Sequence, residues 1–125
     1  MSIYTHITVG TNNVEKAREF YDKVLGTIGL KRLADIPEGR GSIWGIDEPA
    51  FFALTPANGE PATFGNGVTI SFKAKDRASV EAFHRTALEL GGRDEGAAGP
   101  RKLGYAAYVR DLDGNKLAVY GPLEG

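Results

Sequence analysis

The chain repeats one order of elements. Ile3, Thr5, Ile7 and Val9 alternate with Tyr4, His6 and Thr8, the period of two expected of a strand with two unlike faces. Thr11-Asn12-Asn13 supplies capping side chains. Val14, Ala17, Phe20, Tyr21, Val24 and Leu25 follow at helical spacing, so residues 13–25 read as an amphipathic helix ended by Gly26. Three short strands are expected near residues 30–34, 42–46 and 51–55, divided by Pro37-Glu38-Gly39 and Asp47-Glu48-Pro49. The order then begins again. Val68, Ile70, Phe72 and Ala74 alternate with Thr69, Ser71 and Lys73, and Asp76 stands ready as a cap. Val80, Phe83, Ala87 and Leu88 mark a second helix that stops at Gly91-Gly92, and strands near residues 93–96, 105–109 and 116–120 complete the unit. Sliding the sequence so that Phe20 falls on Phe83 also places Val9 on Phe72, Leu25 on Leu88 and Gly29 on Gly92.

A chain of 125 residues is of the size at which one core is normal and two would each be too small. The expected fold is therefore α+β: one domain over residues 1–125, built of two βαβββ modules that form a cupped mixed sheet with a helix on the outer face of each. Module one covers about residues 1–56 and module two about 67–125, and the Gly-, Pro- and Asn-rich stretch of about 57–66 between them is the hinge. By alternation Ile7, Val9, Ile70, Phe72, Leu117 and Val119 lie under the helices. Tyr4, His6, Thr8, Thr69, Ser71, Lys73, Lys116, Ala118 and Tyr120 fall on the opposite face, and two such faces imply a shared polar cleft.

Charge and composition narrow the partners. A formal net charge of -1, with basic runs no longer than Lys31-Arg32 and Arg101-Lys102, offers no concentrated cationic face for a phosphate backbone, so no nucleic acid is expected. The apolar stretches are far too short for a membrane span and the opening residues show no signal pattern, so a cytoplasmic protein without a membrane partner is expected. The absence of cysteine removes disulfides, thiolate nucleophiles and Cys-type zinc sites.

His6-Ile7-Thr8-Val9 followed by Val14-Glu15-Lys16-Ala17-Arg18-Glu19-Phe20-Tyr21-Asp22-Lys23-Val24-Leu25-Gly26 resembles the opening of the vicinal oxygen chelate superfamily, the glyoxalase, bleomycin-resistance and extradiol-dioxygenase group. Tyr105-Ala106-Ala107-Tyr108-Val109-Arg110-Asp111-Leu112-Asp113-Gly114-Asn115-Lys116-Leu117 is similar to that group's final hairpin, and Phe64-Gly65-Asn66-Gly67 to the approach to its second unit. The resemblance implies a homodimer and one divalent ion held from the first and last strands of each unit. Carried across, those positions are His6, Thr69 and Ala118, while the fourth strand offers no carboxylate or imidazole. A catalytic metal needs about three imidazole, carboxylate or thiolate ligands. Only His6 qualifies, so no cofactor is expected and a divalent metal is disfavoured unless Glu48, Asp94 or Glu95 swings in.

The expected function is binding of a small organic molecule in the cleft with the usual metal centre lost. His6 is the candidate general base or anchor, and Tyr4, Thr69, Ser71 and Tyr120 are the polar contacts. Trp44, Phe51, Phe52, Tyr105 and Tyr108, on the third, fourth and seventh strands, read as core or subunit packing or else as an aromatic wall, for which Trp44 and Tyr105 are the ligand-binding candidates. The alternatives are a lactoylglutathione-lyase-like or dioxygenase-like enzyme using unconventional ligands, and a protein that sequesters a drug or metabolite without reaction. Against a cationic drug stand Lys73 and Lys116 on the expected cleft face. His84 reads as a helix-edge residue. Asp111, Asp113 and Asn115 read as a hairpin turn at Asp113-Gly114, since the twelfth position of a calcium loop would fall on Pro122.

Overall fold

The computed structural model describes residues 2–47 and 49–124. Its elements run β1 (His6–Gly10), α1 (Val14–Gly26), β2 (Lys31–Ile36), a short 3-10 turn (Pro37–Gly39), β3 (Gly41–Gly45), β4 (Ala50–Leu54), β5 (Ile70–Lys73), α2 (Arg77–Glu89), β6 (Arg93–Arg101), β7 (Gly104–Arg110) and β8 (Lys116–Gly121). The strands form two four-stranded mixed sheets of the same order, β1-β4-β3-β2 and β5-β8-β7-β6. In each, the first strand runs parallel to the fourth, and the other pairings are antiparallel. The helix that follows each first strand covers one face of its sheet, so the architecture is the expected pair of βαβββ modules forming a cupped sheet.

Local chemistry explains where the helices begin and end. The Asn13 side chain accepts the Lys16 amide at 3.1 Å, and the Asp76 side chain accepts the Ser79 amide at 2.8 Å, so each helix starts on its capping residue. The first helix runs one residue past Leu25, through Gly26, and the left-handed turn is taken by Gly29. In the second, Gly91 adopts positive φ and the Gly92 amide closes on the Ala87 carbonyl at 2.8 Å.

Both first strands are shorter than the alternation suggests, because a strand lasts only as long as its ladder. The β1 register begins with His6 beside Ala50, which leaves Ile3 and Tyr4 ahead of the pairing and exposed. The β5 register begins with Ile70 beside Leu117, immediately after the hairpin that starts β8, and Thr69 precedes it. β6 is longer than expected. Its register slips on either side of Gly96, and Pro100 is accommodated because β6 is an edge strand.

One cluster of buried side chains unites the modules. Trp44 and Phe51 enclose Tyr21 from module one, Phe51 meets Phe72 at 5.3 Å between ring centroids, and Phe72 meets Phe83 at 5.9 Å. Val9, Leu117 and Val119, on the helix-covered side that alternation assigned, fill the space around them together with Val109. Leu88 departs from the expected core. It is exposed, although the matching Leu25 of the first helix is fully buried, while Ala87 is buried where Val24 is in the first helix.

Polar bonds fix the relative placement of the halves. The Asn115 side chain donates to the Gly10 carbonyl at 3.1 Å, and the Asn12 amide donates to Asp113 at 2.8 Å. Tyr21 donates to the buried carboxylate of Asp111. The Asn12 side chain also holds Ala62 of the linker, its Nδ2 donating to the Ala62 carbonyl and its Oδ1 accepting from the Ala62 amide.

Candidate functional site

The side of each sheet away from its helix carries the polar set. On β1 these are His6 and Thr8, and on β4 the neighbouring residue is Phe52, whose ring lies 4.5 Å from the imidazole. His6 is exposed, and its Nδ1 lies 3.0 Å from the Thr5 hydroxyl. In module two, Ser71 and Lys73 stand beside Ala118 and Tyr120, and Tyr108 and Arg110 stand opposite Ala118 and Lys116. Tyr108 and Tyr120 join their hydroxyls in a hydrogen bond. That bond, with a smaller contribution from burial, raises the Tyr108 phenol above its ordinary value.

A cavity of about 180 Å³ lies where the two modules meet. Thr8, Val9, Phe64, Val68, Ile70 and Lys116 are among its walls, so the end of β1, the start of β8 and the linker before β5 all contribute. His6 is outside this lining, at the other end of β1.

Several sequence candidates are placed elsewhere. Trp44 is fully buried under α1 and donates its indole N–H to Asp22 at 2.9 Å, so it is a core residue and no pocket wall. The reason is parity: Trp44 points to the same side of β3 as Ser42, which bonds Arg18 of the helix. Tyr105 lies on the helix side of β7, beneath the guanidinium of Arg77, and donates to Glu81 at 2.7 Å. Tyr4 precedes the strand, with its amide on the Ser2 hydroxyl. Thr69 and Ser71 are exposed, and Tyr120 is half-buried. Tyr108, one of the same group of aromatics, lies on the polar side, and alternation along β7 separates it from Tyr105. Phe64 was missed as a cavity residue, and it had no periodic signal because it lies in the linker.

The donor set does not suit a divalent metal. The matching positions hold one imidazole, a threonine hydroxyl and the fully buried methyl of Ala118, and β4 (Ala50–Leu54) has no carboxylate. Asp94 is engaged by His84 at 3.0 Å and Glu95 by Arg110 at 3.5 Å, while Glu48 lies outside the described residues. Among the described residues no three His, Asp or Glu side chains gather to hold an ion. The hairpin after β7 is a turn, with the Gly114 amide on the Asp111 carbonyl at 3.1 Å. No helix is long and apolar enough to cross a membrane.

Comparison with known proteins agrees with this fold. The profile of the Glyoxalase/Bleomycin resistance protein/Dioxygenase superfamily matches residues 3–119. A glyoxalase/bleomycin resistance protein from Albidiferax ferrireducens T118 shares 38% identity, with a TM-score of 0.88 over 96% of this chain and 98% of that one. Lactoylglutathione lyase from Agrobacterium tumefaciens is 20% identical, with a TM-score of 0.68 over 97% of this chain and 94% of that one. TnmS3, an antibiotic binding protein from Streptomyces sp. CB03234, is 21% identical, with a TM-score of 0.63 over 98% and 97%. The last two share the fold. Comparison with curated proteins returned no match. The chain belongs to the glyoxalase/bleomycin resistance protein/dioxygenase superfamily.

Proposed function

We propose that this protein binds a small organic molecule on the polar side of its sheets without a divalent metal. The observation that carries the reading is the residue set at the family's ligand positions, where His6 stands alone with Thr69 and Ala118. Binding is favoured over turnover because the polar residues of β1, β5 and β8 include one imidazole and no carboxylate to share proton transfer with it. The roles given to His6, Ser71, Thr69 and Tyr120 as contacts belong to this proposal, as do a cytoplasmic setting and a homodimer. Sedimentation of the purified protein tests the homodimer, and a monomer at micromolar concentration refutes it.

The test of the main reading is metal loading. Protein exposed to Zn, Ni, Mn and Fe salts and then desalted is expected to retain no stoichiometric metal. Retention of one ion per chain that is lost in His6→Ala overturns the reading and favours a metal-dependent lyase or dioxygenase.

A further inference from the structure

The first strand of each module is a free edge of its sheet, β1 beside β4 and β5 beside β8, and no ladder joins the two edges. Along β1 the backbone groups alternate sides. The Ala50 amide donates to the Thr5 carbonyl at 3.0 Å and the Thr11 amide to the Leu54 carbonyl at 2.9 Å, so the odd-numbered residues face β4. The even-numbered residues face away from it, and the Gly10 carbonyl accepts from the Asn115 side chain at 3.1 Å. Thr8 therefore turns both its N–H and its C=O to the free edge, where among the described residues neither has a hydrogen-bond partner. Such an unpaired pair on a strand edge is a template for another extended unit.

The cavity of about 180 Å³ runs along that edge. Thr8, Val9 and Gly10 all line it, and because side chains alternate between the faces of a strand, a space bordered by three successive residues lies beside the backbone. Ile70, the first residue of β5, borders it from the other sheet. The linker closes the cavity without completing the ladder. Asn12 holds Ala62 through two hydrogen bonds, and the Phe64 ring is seated on Gly114, where a Cβ would lie 2.6 Å from it, with the Arg110 guanidinium 5.1 Å from its centre. Fixed at both points, this stretch walls the cavity through Thr63, Phe64 and Gly65 and leaves the Thr8 edge unpaired.

Among the described residues of the lining, Lys116 alone is charged. Its ammonium rests 5.4 Å from the centre of the Tyr108 ring, and among the described residues no carboxylate comes within 4.0 Å of it. An extended amino-acid unit directs its N–H and one carboxyl oxygen to the same side, the arrangement by which paired strands exchange both bonds. Against Thr8 that N–H donates to the C=O and that oxygen accepts from the N–H, which leaves the second carboxylate oxygen for Lys116. A free amino acid would bring an ammonium to a wall whose charge is already positive, so the nitrogen has to be acylated. An apolar cavity of about 150 Å³ admits benzene, so the space here is of the size of one small residue with a short acyl group.

We infer that the cavity binds an N-acylated amino acid with a small side chain, which adds one residue to the free edge of β1 at Thr8 and turns its carboxylate toward Lys116. The site lies at the other end of β1 from His6 and stands apart from the sheet-face contacts of the proposed function.

N-acetylglycine, its ester analogue acetoxyacetate and the uncharged N-acetylglycinamide separate the components when titrated into isotopically labelled protein and followed by amide resonances. N-acetylglycine is expected to shift Thr8, Gly10 and Val68 and to slow hydrogen exchange of the Thr8 amide, with that of Val9, already turned to β4, unchanged. Acetoxyacetate lacks the N–H and is expected to bind about tenfold more weakly, the scale of one hydrogen bond. N-acetylglycinamide is also expected to bind more weakly, and Lys116→Gln to abolish that difference, with an unchanged thermal midpoint establishing that the variant is folded. Equal binding of acetoxyacetate overturns the pairing at Thr8, and equal binding of N-acetylglycinamide to the native protein overturns the role of the carboxylate. Shifts confined to His6, Ser71 and Tyr120 overturn this site and support the sheet-face reading instead. No shift by N-acetylglycine up to its solubility limit overturns the inference and leaves the metal-loading test of the proposed function untouched.

Discussion

Asp111 shows how much one side chain carries in a chain of this size. Its carboxylate, almost wholly buried, accepts from the amides of Asp113 at 3.0 Å and Asn115 at 2.8 Å, from the Asn115 side chain at 2.9 Å, and from the Tyr21 hydroxyl of the other module. Removing the one bond that comes from module one leaves a buried carboxylate underbonded, so Tyr21→Phe is expected to cost about 1.5–3 kcal/mol in urea denaturation. Burial pushes the Asp111 carboxyl above the usual carboxylate range, against the opposing pull of its hydrogen bonds from Tyr21 and Asn115. The folded protein thus holds this proton more tightly than the unfolded chain does. The stabilisation linked to it is complete below the ordinary carboxylate value and is lost as pH rises through the raised one. The stability of the native protein relative to Asp111→Asn should therefore fall as pH rises from about 4, and urea midpoints at a series of pH values check this. A relative stability that climbs over that interval contradicts the burial argument.

At the scale of elements, the reading from sequence went furthest where the signal was local. Asn13 and Asp76 could be recognised as caps from residue type and position alone, and both cap. Asn13→Ala is expected to lower stability by about 1 kcal/mol, with the loss visible first as fraying in hydrogen exchange over the first turn of α1. Strand ends were less legible. The alternation continues from His6 back to Ile3 and from Ile70 back to Val68, but the ladders stop where β4 and β8 stop, and a partner's length is not written in the strand itself. Faces in β3 and β7 stayed undecided for the same kind of reason. Gly41, Gly45 and Ala106 blur the contrast between sides, so Trp44 and Tyr105 could be core or wall residues until their ladders fixed which side the helices cover.

Over the whole molecule, the two modules share their core. Phe51 and Phe72 touch across the boundary, and Gly92 approaches Phe20 so closely that a Cβ there would lie 3.2 Å from its ring. Neither half can lose its packing without exposing apolar surface of the other. Unfolding is therefore expected to be a single transition. Trp44, the only tryptophan, reports module one by fluorescence, and amide resonances of Val109 and Leu117 report module two. Midpoints that differ between the two probes would show that the modules unfold separately.

The sequence by itself determined the repeated element order, the helix starts, the helix-covered residues of the first and last strands, and the single imidazole at the family's ligand positions. Those follow from periodicity, capping and residue type, which act over a few neighbours along the chain. Only the tertiary structure decided that Lys116 and Arg101 each reach the ring of Tyr108, that Phe64 of the linker lines the same cavity as Thr8, and that Trp44 and Tyr105 belong to the core. Tyr108 and Tyr120 meet because β7 and β8 pair in one register, and Thr8 reaches the Lys116 cavity because Asn115 and Asp113 dock the last hairpin on β1 and its loop. Such contacts join residues far apart in the chain, and the packing of two modules sets them where local pattern cannot.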